Sequence, residues 1–589
     1  MKRLTRLSLL CALVGTTFTV AALTPAEAEA CGGTFCDGGA PLPMPVDQSG
    51  ENILFVRDGT AMEAHIQIQY MGDPEKFGWV IPLTAEPTVI APGSDPLFRN
   101  LLAASVPTYG FSRQSDSCQV PNASPDGGQG LTGGAAADDG GGDESGDEDD
   151  GVKILSTQEV GAFKVTMLTG DSAAAIVEWL DENGFEQDDE AIPILEQYLA
   201  EGHVFAAVKL TVGVGTDEIH PIMFRFESDE PCVPLRLTRI AAVEDMEIRT
   251  FFLGRARTVP RTYRHVEVNP LKIDWPNQAA NYKEVVSLAV DEEHADGRAF
   301  VTEYAGPSDV VSTNGIADDR WNADTFVELA PQAVIARLGD QGLWECGESP
   351  DTFEYLCQST HPLVQPLLDE FLPVPSGVDA TQFYEDMEAY SEQIDLEAWD
   401  GVAFAAALEE VVFGPGRHGL ELLADNGYLT RMYTTISPAE MTEDPMFHEN
   451  GELDEVAGQR MATQRTLCNG DSIWTLPDGR EVYVPAGEPW PDFDLEAPMD
   501  DKMPIAEFIS EIPASGAPMR LADNQEIIDV QLRKYNQGKG WNGAEVPPGE
   551  AANDADTSGC SCRAGGGNGG VMWMFGLGVF MLGARRRWH

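Results

Sequence analysis

Positive charge is scarce in this chain. Its 589 residues hold 37 Lys and Arg against 97 Asp and Glu, a formal net charge of −60. Nucleic-acid binding depends on Lys and Arg displacing counterions from phosphates, so a nucleic-acid partner is excluded. The carboxylates are spread through the sequence, which reads as a soluble, self-repelling surface best tolerated when salt screens it. The sequence also lacks the short motifs of familiar chemistry. Its nine histidines are dispersed and no H-E-x-x-H occurs, so no local metal cluster is expected and a metal site would have to be built from distant residues. His65 falls on the polar side of an alternating stretch and His294 follows Asp291-Glu292-Glu293; both are expected at the surface. No glycine-rich run leads into Lys-Ser or Lys-Thr, and Gly140-Gly141-Gly142 lies among aspartates that would repel a nucleotide. No cofactor is implied. No repeat of fixed period is present, which argues against solenoids and propellers.

Hydrolase chemistry is similarly thin. Gly170-Asp171-Ser172 and Gly470-Asp471-Ser472 superficially resemble the nucleophile block of GDSL hydrolases, and Asp291 to His294 has their D-x-x-H spacing. Asp171 and Ser172 are better explained as a helix start, and the histidine following Ser472 is His589, in the tail. No G-x-S-x-G elbow occurs. Cysteines in an exported protein are more often oxidised than kept as thiolates, and with 97 acidic residues no carboxylate pair is informative. The reading is a non-enzymatic envelope or interaction module. The alternatives are an extracellular hydrolase whose site is assembled from distant residues, and a divalent-cation-binding surface module.

What is present is enough apolar material, 43% of the residues, for one large domain or two ordinary ones. From Met62 to Tyr70 apolar and polar residues alternate, the pattern of a strand with one buried face. Asp73-Pro74 turns the chain, and Phe77 to Pro82 is expected to return as the second strand of a hairpin. Further strands are predicted at 162–168, 204–212, 222–226, 246–253 and 299–304. Helices interleave with them: Ala173, Ile176, Val177 and Leu180 share one helical face before Asn183-Gly184. Phe383, Met387, Tyr390 and Ile394 repeat at helical spacing, as do residues 402–412. The fold class is therefore α+β: an antiparallel-rich sheet domain with interleaved helices over 31–310 and a helix-rich continuation of the same domain over 311–490. Residues 118–152 form an acidic, glycine-rich stretch expected to be disordered, without the spacing of a calcium loop. Residues 491–559 read as a polar stalk.

The two ends point to export. Lys2, Arg3 and Arg6 precede an apolar stretch from Leu7 to Leu23 and then Ala28-Glu29-Ala30, a signal peptide over 1–30 with cleavage between Ala30 and Cys31. A lipoprotein site at Cys31 wants an aliphatic residue three before it and no charge next to that, which Ala28 and Glu29 do not supply. At the other end, Cys560-Ser561-Cys562 precedes a glycine-rich hinge, an apolar run from Val571 to Ala584, and Arg585, Arg586 and Arg587. The hydrophobic segment 565–584 just suffices to span a bilayer, with the arginines on the cytoplasmic side. An ordinary tail anchor explains the apolar run but not the Cys-x-Cys. The membrane, through this tail, and the export and sorting machinery are the expected partners.

Excluding the signal and the tail leaves Cys31, Cys36, Cys118, Cys232, Cys346, Cys357 and Cys468. Their spacing is that of disulfide partners rather than zinc knuckles, and the closest credible bridge is Cys346 to Cys357, whose loop closure would contribute about 3 kcal/mol.

Two resemblances follow from these residues. The tail 560–589 resembles the myxobacterial C-terminal sorting signal (MYXO-CTERM type), which implies recognition, processing and attachment to the surface. The opening Cys31-Gly32-Gly33-Thr34-Phe35-Cys36, Pro45-Val46-Asp47-Gln48, Phe77-Gly78-Trp79-Val80-Ile81-Pro82, Val233-Pro234-Leu235-Arg236-Leu237-Thr238, Asn281-Tyr282 and Thr302-Glu303-Tyr304-Ala305-Gly306 resemble, in order, the domain-of-unknown-function 2330 family. That resemblance implies a bacterial exported protein and brings no established activity to particular residues.

Overall fold

The alternating stretch forms the strand Ala61–Ile68, and both of its faces are covered. The structure, a computed structural model, describes residues 48–68, 78–117, 152–185, 191–211, 219–348, 355–493 and 502–542. The signal peptide with Ala30 and Cys31, most of the acidic stretch, and the tail with Cys560, Cys562, Arg585, Arg586 and Arg587 lie outside the described residues.

Ala61–Ile68 belongs to a ten-stranded sheet. Its order is Met519–Asp523, Ala506–Glu511, Arg264–Val268, Ala299–Pro307, Tyr428–Ile436, Ala242–Gly254, Gln48–Asp58, Ala61–Ile68, Ile222–Glu227 and Val89–Pro92. The strands Gln48–Asp58 and Ala242–Gly254 run parallel, as do Arg264–Val268 and Ala299–Pro307, and antiparallel pairs join the rest. Met62, Ala64 and Ile66 point from one face into a core shared with a four-stranded sheet of Gly78–Leu83, Val204–Leu210, Phe163–Gly170 and Val152–Val160. On the opposite face, Leu54 and Val56 meet Leu97, Phe98 and Leu101 of the helix Asp95–Ser105 and Leu422 of the helix Gly414–Asp425.

Several expectations are corrected here. The segment Gly78–Leu83 is not the hairpin partner of Ala61–Ile68; it pairs with Val204–Leu210 in the second sheet. Its unbroken apolar sequence needs cover on both sides, which a solvated hairpin cannot provide. Trp79 and Ile81 face the large sheet, while Val80 faces the helices Ala173–Glu182 and Ala191–Ala200. The helical spacing at 383–394 gives a short helix, Ala380–Glu385, followed by turns; Phe383, Met387 and Ile394 are buried without a continuous helix. The helix at Gly401–Leu408 begins at Asp400, whose carboxylate caps Val402 and Ala403, and runs through a π-helical turn at Glu409–Phe413. Within 311–490 the helices give way after Asp425 to the strands Tyr428–Ile436, Gln459–Thr466, Ser472–Thr475 and Glu481–Val484.

The segment read as a stalk is largely folded. Ala506–Glu511 and Met519–Asp523 extend the large sheet, and the helix Gln525–Gly538 buries Ile528, Leu532 and Tyr535 against Trp474, Leu476 and Val482. Polar average composition concealed an apolar stripe three or four residues apart.

Cys346 and Cys357 face each other across the strands Trp344–Glu348 and Tyr355–Ser359 and form a disulfide, with a Cα–Cα distance of 4.0 Å. Buried ion pairs fasten the body elsewhere. Arg236 donates from its backbone N and Nε to Asp444 at 2.9 and 2.8 Å, and the Tyr198 hydroxyl donates to the same carboxylate at 3.0 Å. Arg431 meets Glu303 at 2.5 Å, with both side chains almost fully enclosed.

The run Asp291-Glu292-Glu293-His294 has structural work of its own. Glu292 accepts hydrogen bonds from the backbone N–H groups of Ile505 and Ala506 at 2.6 and 3.2 Å, and His294 is exposed. Burial, with Asp291 and Asp245 nearby, pushes the Glu440 carboxyl up to about 7 against the Ser437 N–H that favours its anion. Glu440 thus takes up a proton on folding between its ordinary value of 4.5 and about 7. The stability this confers is fully present below the lower value and is lost as pH rises through the upper one. Glu440→Gln keeps an acceptor for Ser437 and removes the charge. It is expected to raise the unfolding temperature above that of wild type at about pH 8, the gap closing by about pH 5. A gap independent of pH in thermal melts would show that Glu440 titrates as an ordinary carboxylate.

Candidate metal centre

Register on the strand Ala61–Ile68 places Glu63 opposite Val56 on one side and Arg225 on the other, and His65 opposite Leu54 and Met223. Glu63 and His65 are two apart, so both project to the face beneath the helices. There they are buried, at 3% and 2% exposure, among Leu54, Val56 and the helix side chains. His65 is therefore not the surface histidine its polar neighbours suggested. A sheet roofed by helices has no solvated face, so an alternating strand in its middle must bury its polar set.

The third member comes from far along the chain. His418 lies in the first turns of Gly414–Asp425, and its Nε2 is 2.8 Å from Glu63 Oε2. Close approach of this helix depends on glycine. A Cβ on Gly416 would sit 2.2 Å from the carbonyl oxygen of Ile316, and one on Gly419 would press on Ile316 and Leu97 at 3.2 and 3.4 Å. The helix enters through the π-helical turn Glu409–Phe413, which shifts the phase of the residues after it.

Glu63 Oε1 is held by Arg225, whose guanidinium also pairs with Asp58. Oε2 faces the two imidazoles, with His65 Nε2 at 3.5 Å. Burial alone would raise the Glu63 carboxyl, but the His418 hydrogen bond and the neighbouring His65 outweigh it and hold the group well below the usual carboxylate range. Burial pushes His65 down, so it is neutral, while the bond to Glu63 raises His418 against its own burial. The rings stack at 5.8 Å with an interplanar angle of 19°. Nδ1 of the enclosed His65 has no hydrogen-bond partner among the described residues, and its Nε2 faces the Glu63 carboxylate. One donor atom from each of Glu63, His65 and His418 lies within 4.8 Å of the others.

Two imidazoles and a carboxylate are a donor set for a divalent first-row transition metal, with positions left over for water or a second ligand. Donors about 2.1 Å from a common tetrahedral centre lie about 3.4 Å apart, so small side-chain rotations suffice to admit an ion. The surroundings supply outer-shell partners as well: Arg225 on the far carboxylate oxygen, and Glu421 at 4.0 Å from His418 Nδ1. Such a metal would replace the proton now shared between His418 and Glu63.

Of the residues singled out from sequence, His65 belongs to this cluster, though it was expected at the surface, and the others lie elsewhere. Cys346 and Cys357 lie on the hairpin at 344–359, and Ala30, Cys31, Cys560, Cys562 and the arginines of the tail lie outside the described residues. Of the serines tested for hydrolase chemistry, Ser172 caps the helix Ala173–Glu182 by accepting from Ala175 N at 3.2 Å, and Ser472 is buried in a strand. Asp471 accepts from Ala486 N at 2.8 Å and from the Tyr483 hydroxyl, which makes it a turn residue. The signals for the real cluster were Glu63 and His65 at i and i+2 in an apolar strand, and a glycine-studded helix around His418.

The principal cavities lie elsewhere. One, of about 530 Å³, is bounded by Trp474, Trp490, Asp274 and Asp492.

No curated protein matches the chain. Among solved structures it is similar to a mutated baculovirus P35 after caspase cleavage, at 10% identity over 36% of this chain and 70% of that one, with a TM-score of 0.20. It is likewise similar to the caspase-8/P35 complex, at 8% identity over 39% and 77% of the two chains, with a TM-score of 0.21. Likeness at that level carries no argument about fold or function. Residues 25–448 match the family of uncharacterised proteins conserved in bacteria known as DUF2330, a stretch that contains Glu63, His65 and His418, and the chain belongs to that family.

Proposed function

We propose that this is an exported bacterial envelope protein, held at the cell surface by its C-terminal tail, whose folded body binds a divalent transition-metal ion through Glu63, His65 and His418. One observation carries the metal: the enclosed imidazole of His65, its Nδ1 without a hydrogen-bond partner among the described residues and its Nε2 3.5 Å from Glu63, beside that carboxylate and a second imidazole. Leaving a buried polar group unsatisfied costs about 1–3 kcal/mol, and coordination would offset that cost. Imidazole donors favour zinc-like ions over calcium, which takes oxygen ligands, so the acidic surface is not the binding element. The role is binding rather than turnover, because the cluster sits under helices and the cavities of about 530 and 470 Å³ are lined by other residues.

Export and anchoring rest on the sequence of the two ends: the basic and apolar leader before Ala30-Cys31, and the Cys560-Ser561-Cys562, apolar and arginine order of the tail. Among the described residues no helix is long and apolar enough to cross a membrane.

Two outcomes are expected. Purified wild type stripped with chelator should bind one equivalent of Zn2+ by calorimetry and melt at higher temperature with the ion present. His418→Gln, at a half-buried position, and His65→Gln should each weaken that affinity by about 100-fold or more, beyond the loss usual for outer-shell changes. Undiminished affinity in a folded His418→Gln protein would overturn the site. In cells, Cys560→Ser with Cys562→Ser should leave the tail attached and precursor in the inner membrane, while wild type loses the tail and reaches the surface. Mature wild-type protein still ending at His589 by intact mass would refute processing.

A further inference from the structure

A second cavity, of about 290 Å³, lies between the large sheet and the strand Gln459–Thr466, bounded by Arg257, Arg460, His265, Trp275, Val301 and Tyr109. Its charge is unusual for this molecule. With 97 acidic residues to 37 basic ones, a guanidinium has carboxylates in excess to choose from, and Arg225, Arg236, Arg431 and Arg480 each pair with at least one. Arg257 and Arg460 make no ion pair among the described residues. Arg257 donates to the Asp454 carbonyl at 3.1 Å, the Thr302 hydroxyl at 3.2 Å and His265 Nε2 at 3.3 Å, and its Nε is buried without a partner. Arg460 donates to the Tyr109 hydroxyl at 3.2 Å and the Glu303 carbonyl at 3.4 Å, and lies over the Tyr109 ring.

The carboxylates along the same wall are already engaged. Glu267 is held by Arg520 at 2.7 Å, and Arg480 holds Glu507 and Asp478 at 2.6 and 2.7 Å. His265 is buried, accepts from Arg257 and is held in its neutral form by burial and by Arg257, so it adds no positive charge. Two cations without an ion pair thus border a cavity that also presents an apolar surface: Val266, Val268, Ile273, Trp275, Val301 and Val456. Desolvated charge without a counter-charge is costly, and guanidinium geometry matches a carboxylate.

We propose that this cavity binds a small organic monocarboxylate with an aromatic or branched apolar body, its carboxylate between Arg257 and Arg460 and its body against Trp275 and the valines. The volume falls at the small end of ligand pockets, which limits the body to about one ring. This site is independent of the metal cluster, which lies on other strands of the sheet.

Calorimetry on the purified full chain tests it with phenylacetate, phenylacetamide and inorganic phosphate as probes. Phenylacetate should saturate a single site with a Kd at or below about 1 mM, the amide should bind at least about tenfold more weakly, and phosphate should not compete. Arg460→Gln and Arg257→Gln, confirmed folded by their melting curves, should each weaken phenylacetate binding at least about tenfold while leaving Zn2+ affinity unchanged. Failure of phenylacetate to saturate wild type, equal binding of acid and amide, or undiminished binding by both folded variants would overturn the proposal. Phosphate binding as tightly as phenylacetate would overturn the assignment to an organic carboxylate.

Discussion

The buried carboxylate of Glu63 sets the terms on which the centre of this protein can fold. It sits on an interior strand of a ten-stranded sheet with helices above it, where an unpaired ion would cost several kcal/mol. Its pairing ties three distant segments to one point: Arg225 from the next strand, His65 from its own, and His418 from a helix 355 residues away. The helix reaches that point because Gly416 and Gly419 let its backbone pass close to Ile316 and Leu97. A chain-wide contact of this kind gives a meaning to two glycines that local sequence does not.

Other buried ions in the body are paired fasteners, and two of them fall in blocks singled out from the sequence. Arg236, in the Val233 to Thr238 block, clamps Asp444 and Glu201; Glu303, in the Thr302 to Gly306 block, meets Arg431. These pairs close on themselves. The Glu63 cluster differs because His65 is enclosed with its Nδ1 unpartnered among the described residues, and the cavity of Arg257 and Arg460 differs because its guanidiniums make no ion pair there, the neighbouring carboxylates being held by other arginines. In a chain so rich in acid, an unmatched arginine is more informative than an unmatched glutamate.

Local periodicity made much of the fold legible. The strands at 163–170, 204–210, 222–227, 242–254 and 299–307 fall where alternation and apolar runs place them, and the helix Ala173–Glu182 ends at Asn183-Gly184 as its sequence indicates. Pairing was not legible. Phe77 to Pro82 is near Ala61–Ile68 in sequence, yet its strand pairs with the distant Val204–Leu210, because cover on both faces outweighed a short loop. The helix Gln525–Gly538 was hidden by polar composition, although Ile528, Leu532 and Tyr535 form a stripe. The site was harder still. A polar alternation looks the same whether solvent or a helix covers it, so His65 read as surface until Gly414–Asp425 was seen to lie across it.

X-ray absorption at the zinc K-edge, on the purified full chain loaded with one equivalent of Zn2+, tests the central claim most directly. The account predicts a shell of nitrogen and oxygen donors at about 2.0–2.1 Å with the multiple-scattering signature of two imidazoles, falling to one in His418→Gln. A shell containing sulfur at about 2.3 Å, or one of oxygen alone without imidazole scattering, would contradict it.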